Sequence, residues 1–191
     1  MALEIGNIGF TKEKSEYDED RYDWFSSELP ISFLNNSKLK VRLDFNHQEL
    51  DEFKSEIETT LRNTLNLGKG ERKRLKKHLY AYYNDFVLDV GEECLEDMSA
   101  QENEDNIWHF VHISSLAICK SSITEEFFCQ FTGGCDWETE HGISISFKNG
   151  NNLAKVGIYG HVNNSDAYAD RSMDKYIYYG KIIKTYAAEQ H

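Results

Sequence analysis

Proline is almost missing from this chain. Pro30 is the one instance in 191 residues, so no proline-rich linker divides it. No apolar run approaches the roughly 20 residues that a membrane-crossing helix needs. The chain opens without a charged-then-apolar leader, so a soluble protein in a reduced cytoplasm is the expectation. Cysteine is sparse: Cys94, Cys119, Cys129 and Cys135 show no CxxC spacing, which points to free thiols. Basic residues are outnumbered, with 21 Lys and Arg against 33 Asp and Glu and a formal net charge of -12. Such a surface repels phosphates, so nucleic acid is not an expected partner, whereas a basic protein is admissible. The acidity also serves plain solubility. Familiar catalytic patterns are absent too: no Gly-rich phosphate loop, GxSxG, Ser-His-Asp order, HExxH or EF-hand loop appears. Neither does an internal repeat or a low-complexity tract.

Aromatic residues, by contrast, are plentiful. Eleven Tyr, eleven Phe and three Trp make up 13% of the chain, enough to bury a large area per residue. The length is close to one domain's worth, so residues 1–191 are expected to form a single α+β domain. Residues 1–20 are polar and acid-rich, and read as a loosely held segment or a short edge strand. Ile31–Phe33 alternates like a strand, Asn35-Asn36-Ser37 reads as a turn, and Lys40–Phe45 puts Val41, Leu43 and Phe45 on one face of a half-buried strand. Asn46 with Glu49 three residues on has the capping-box pattern. After it, Leu50, Phe53, Ile57, Leu61 and Leu65 form a helical apolar stripe. Gly68 and Gly70 interrupt it, and Leu75, Leu79, Tyr82, Phe86 and Val90 repeat it, so residues 46–90 read as a helical hairpin.

Six basic residues crowd the start of the second helix: Lys69, Arg72, Lys73, Arg74, Lys76 and Lys77. No aromatic residue interleaves them, so a solvated helix face is the reading, not a nucleic-acid patch. The acidic run from Glu92 to Asp105 reads as a solvated connector. From Ile107 the apolar period drops to two, and residues 107–160 read as strand-rich. Strands are expected at 107–113, 116–119 and 125–132, followed by a hairpin over 143–158 turned at Asn149-Gly150. Residues 160–169 look like loop, and Met173–Ala188 like a final amphipathic helix. The expected architecture is an antiparallel sheet of about six to eight strands with the helical hairpin packed on one face.

One stretch does not read as ordinary scaffold. Cys135-Asp136-Trp137-Glu138-Thr139-Glu140-His141-Gly142 packs three acids, a tryptophan and a histidine into six positions between glycines. As a recognition surface, Asp136, Trp137, Glu138, Glu140 and His141 combine an aromatic anchor with carboxylates that pair with Arg or Lys. If the segment is extended, the three acids share one face with Trp137 and His141 on the other, a geometry open to an acid/base pair and equally that of an exposed acidic edge; a metal-dependent hydrolase using Asp136, Glu138, Glu140 and His141 is the alternative. A cysteine–histidine nucleophile, Cys135 with His141 or His161, has no supporting context. The bland alternative is a core tryptophan with solvated acids around it.

The same octet, followed by Ile-x-Ile-x-Phe-Lys-Asn-Gly150 and by Gly160-His-Val-Asn-Asn-Ser-Asp-Ala167, resembles the signature of an uncharacterised bacterial domain family. Trp108-x-x-Val111-His112 is similar to that family's preceding strand. The resemblance spans roughly residues 22–170. It implies a cytoplasmic protein of the kind found near polymorphic toxins, some members having the look of immunity proteins, and it carries no assigned activity. The resulting expectation is a non-enzymatic protein-binding module that takes no cofactor and no metal, engages a basic toxin and touches neither nucleic acid nor membrane. The hydrolase reading and a purely structural scaffold stand as alternatives.

Overall fold

The computed structural model describes residues 2–14, 22–95 and 98–187. Eight strands form one sheet in chain order: β1 (Ala2–Ile5), β2 (Ile8–Lys14), β3 (Tyr22–Ile31), β4 (Ser37–Leu43), β5 (Val111–Lys120), β6 (Phe127–Cys135), β7 (Ile143–Lys148) and β8 (Asn152–Gly157). Every neighbouring pair is antiparallel except β4 and β5, which run parallel through Val41↔Leu116, Arg42↔Ala117 and Leu43↔Ile118. The expected all-antiparallel sheet is therefore corrected to a mixed one. A parallel pair needs a long crossover, and the whole helical part of the chain supplies it between β4 and β5.

That crossover holds α1 (His47–Glu52), α2 (Lys54–Leu65) and α3 (Lys69–Val90). The capping box forms as read: Asn46 Oδ1 accepts from the Glu49 amide at 3.0 Å, and Glu49 accepts from the Asn46 amide at 2.9 Å. The first stripe is not one helix but two, broken at Phe53, whose ring packs on Phe127 with centroids 5.5 Å apart. α2 lies against β1, β5 and β6, whereas α3 lies against β8 and against β9 (Tyr176–Tyr179) and β10 (Lys184–Tyr186). The two helices thus serve different parts of the sheet instead of acting as one packed hairpin.

Period-two alternation separates the sheet's faces. One register row runs Val41–Leu116–Phe131–Ile145–Val156 across β4 to β8, and all five are buried against the helices. The adjacent row, Arg42–Ala117–Gln130–Ser146–Lys155, points to the other face. Residues 158–163 cover its β8 end: Gln130 donates to the Gly160 carbonyl, Ser146 to Val162, and Lys155 to the carbonyls of Ile158 and His161. Among the described residues none closes over the β4 end.

Several local expectations change. Residues 2–14 are a β-hairpin with Ile5 and Phe10 fully buried, not a loose segment; residues 15–20 of that expectation lie outside the described residues. Glu104–Phe110 is a three-ten turn, and the strand read from Ile107 begins at Val111. The acidic connector is not wholly solvated, because Leu95 and Met98 are buried in the core. Residues 160–169 include a one-turn helix, α4 (Asn164–Tyr168), capped by Asn163. The expected helix from Met173 is instead a three-ten turn followed by the β9–β10 hairpin, consistent with the strand preference of Tyr176-Ile177-Tyr178-Tyr179; Ala188 lies outside the described residues.

The Asn149-Gly150 turn forms as read, with φ of 50° and 79°. It also docks on α2, where Asn63 donates to the Asn149 carbonyl at 2.8 Å. A Cβ at Gly150 would lie 2.2 Å from the Thr60 carbonyl oxygen. Gly150→Ala is therefore expected to destabilise the protein by about 2 kcal/mol or more in urea unfolding.

Lys155 gives a pH signature. Burial lowers its pKa from 10.5 to about 8, partly offset by Asp166. Below pH 8 the ammonium is charged in both folded and unfolded states, so the penalty for burying it is fully present. The unfolded chain holds more protons between the two values, and stability from this group therefore rises as pH climbs from 8 to 10.5. Relative to Lys155→Met, wild-type unfolding free energy should gain on the order of 3 kcal/mol over that interval.

Candidate functional site

The octet is the connection between β6 and β7, and it is a turn, not an extended edge. A carboxylate folded inward makes it one. Glu138, 7% exposed, accepts the amides of Glu140 and His141 at 3.1 Å through Oε1, and the His141 amide again through Oε2. The Tyr82 hydroxyl of α3 lies 3.2 Å from Glu138 Oε2 and 3.1 Å from the Gly142 carbonyl, one proton facing two acceptors. Burial, with the nearby Cys135 and Glu138, raises the Tyr82 pKa far above its ordinary value, so the phenol stays a donor. Carboxylates that accept several backbone amides act as internal caps.

Trp137 goes the same way. It is 1% exposed, and its ring meets Tyr82 and Tyr83 edge-on at centroid distances of 5.6 and 6.1 Å. The reading of Trp137 as a partner's anchor is thus corrected: the indole is a core post, and burying its large apolar area is worth more than leaving it on a surface. Glu138 is corrected likewise, from surface acid to turn cap. Burial pushes the Cys135 thiol up to about 12, so it is no thiolate nucleophile.

Asp136, Glu140 and His141 remain outside. Asp136 pairs with His112 of β5 at 2.7 Å. His141 Nδ1 sits 3.3 Å from Glu138 Oε2. Of the four residues weighed for a hydrolase, Glu138, Glu140 and His141 bring one donor atom each to within 4.8 Å of one another; Asp136 is held apart by His112. Both Glu138 oxygens already take protein donors, which leaves the trio better suited to holding a turn than to gripping an ion. His161 is exposed and contributes its carbonyl to Lys155, away from this group.

Two concavities flank the loop. On the sheet's uncovered face lies a cleft of about 770 Å³, with Lys40 and Arg42 from β4, Ser115 from β5 and Gln130 and Thr132 from β6. On the α3 side lies a recess of about 420 Å³. Thr139, Glu140 and His141 line both, so the loop tip is the wall between them. Sequence reasoning missed the cleft. Its floor exists only because β4 and β5 are adjacent, though the polar members of each alternation were a usable signal. The basic cluster on α3 is drawn into local contacts: the Arg72 guanidinium sits 4.3 Å over the Trp108 ring, Arg74 pairs with Glu71, and Lys76 with Asp105.

Together these features define an α+β protein whose mixed sheet carries helices on one face, a polar cleft on the other, and an internally capped acidic loop at one end of the sheet. Residues 11–162 match a family model described as a domain of unknown function, DUF6985, and the chain belongs to that family. The match takes in the sheet from the middle of β2 to β8 and the octet, and ends before β9 and β10. No curated protein and no solved structure matches the chain. No helix among the described residues is long and apolar enough to cross a membrane.

The two inward residues should behave as stability elements. Glu138→Gln puts an N–H where two amides need an acceptor, and is expected to cost about 1–3 kcal/mol in chemical unfolding. Trp137→Ala should cost about 3–5 kcal/mol. An unchanged midpoint for both would overturn the anchoring role.

Proposed function

We propose that this protein is a non-enzymatic binding module that acts in the cytoplasm by direct capture of a basic protein, in the manner of an immunity protein that neutralises a toxin. The observation that carries the reading is the division of labour in the octet. Trp137 and Glu138 are spent on rigidity, so Asp136, Glu140 and His141 are presented on a loop that is already ordered before a partner arrives. Preordered acids lose little conformational entropy on binding and steer a basic partner at long range. The formal charge of -12 extends that field over the whole molecule. Cys135 is protonated and held in the core, so it offers no thiolate beside the loop.

The test is co-expression with the product of the adjacent gene, followed by titration of the purified pair. Asp136→Lys with Glu140→Lys is expected to weaken the complex by about tenfold or more, roughly 1.4 kcal/mol, with a smaller effect at high salt. Equal affinity of the double variant and wild type would sink this surface.

A metal-dependent hydrolase is the second reading, favoured by the convergence of Glu138, Glu140 and His141. It requires stoichiometric zinc in the purified protein that disappears in His141→Ala. Zinc-free protein that still binds its partner rules for capture.

A further inference from the structure

We infer that the recess on the α3 side of the loop is a socket for a single arginine side chain of the partner protein; this rests on the capture reading above. The recess of about 420 Å³ has an apolar side made by Phe86 and Val90, from the last turns of α3, and by Ile158 just beyond β8. Val90 and Ile158 are each 50% exposed. Four acids line it too: Asp89, beside Val90 on α3, and Asp136, Glu138 and Glu140 from the loop. Among the described residues no lysine or arginine lines it.

The charges there are unevenly engaged. Asp89 pairs with Lys181 and Asp136 with His112, while Glu140 has no cationic partner among the described residues. α3 also ends at Val90, so the negative end of its backbone dipole adds to the same field. Trp137 lines the recess as well, and its buried indole N–H has no acceptor among the described residues.

A side chain matching this pattern has a long apolar stem ending in a cation with several in-plane donors. Arginine fits. Its methylenes lie against Val90 and Ile158, and its weakly hydrated guanidinium meets the Glu140 carboxylate in fork geometry, with Asp89 and Asp136 adding to the field. Lysine offers the stem but only a compact, strongly hydrated point charge.

The experiment uses the full chain and three acetylated, amidated pentapeptides, Ala-Ala-X-Ala-Ala with X as arginine, lysine or citrulline, followed by amide chemical-shift titration. The arginine peptide should shift the amides of Val90, Glu140, His141 and Ile158, binding at least about threefold more tightly than the lysine peptide, and the citrulline peptide should not bind. Val90→Ser with Ile158→Ser leaves every charge in place, and its dispersed spectrum reports that it is folded. That variant should lose at least about threefold in arginine-peptide affinity. Equal binding of the arginine and lysine peptides, or wild-type affinity in the serine variant, would mean general charge attraction and would overturn the socket. If the socket fails while Asp136→Lys with Glu140→Lys still weakens the protein complex, the capture reading stands alone. If the arginine peptide binds as expected but the complex is untouched by those lysines, the capture reading is the one that falls.

Discussion

The parallel pairing of β4 with β5 is the constraint on which the rest of the molecule depends. On one side of it β1 to β4 form a meander, and on the other β5 to β8 form a second; three residue pairs join them. Those three pairs align the apolar row Val41–Leu116–Phe131–Ile145–Val156 so that one helical layer covers both halves. A slip of one residue at this seam would set Arg42 in line with Leu116, turning Arg42 into the core and Val41 out to water. The same seam puts Lys40 and Arg42 beside Ser115, which makes the floor of the cleft. Core and cleft are two faces of one register.

The loop between β6 and β7 follows a similar economy. Its most conspicuous residues in the sequence, Trp137 and Glu138, are those that a partner cannot reach. They are buried for opposite reasons, one to remove apolar area from water and the other to satisfy amides that the tight turn leaves unpaired. Tyr82 serves both, with its ring against the indole and its hydroxyl on the carboxylate. Rigidity made this way leaves the tip free to carry Glu140 and His141 between two concavities. Gly133 and Gly142 close the geometry, since a Cβ at Gly133 would lie 2.0 Å from the His112 carbonyl oxygen.

Much of the scaffold was legible where one chemical rule acts over a short distance. The capping box at Asn46 and the hairpin at Asn149-Gly150 are such cases, because each is decided by dihedral preference and by hydrogen bonds within a few residues. The strand at Val41 to Leu43 followed from alternation alone. The tail from Met173 was misread because its apolar spacing fits neither period well, and the pairing of β9 with β10 decides it. Ile107 was misread as strand because Trp108 is drawn towards α3, where its indole N–H donates to the Arg72 carbonyl at 2.8 Å.

The site divides along the same line. The amino-acid sequence alone determined that residues 135–142 are exceptional, that the chain is acidic, and that a helical stretch separates two strand-bearing parts. Those are properties of composition and of neighbours in the chain. Only the tertiary structure decided which of the acids faces water. Asp136 and Glu140 are four positions apart, one half-buried and the other exposed, while Glu138 between them is capped inside by a tyrosine 56 positions earlier. Likewise Val90 and Ile158, remote in the chain, meet the loop at one recess. Spacing cannot report such meetings, because burial is set by what the rest of the fold places overhead.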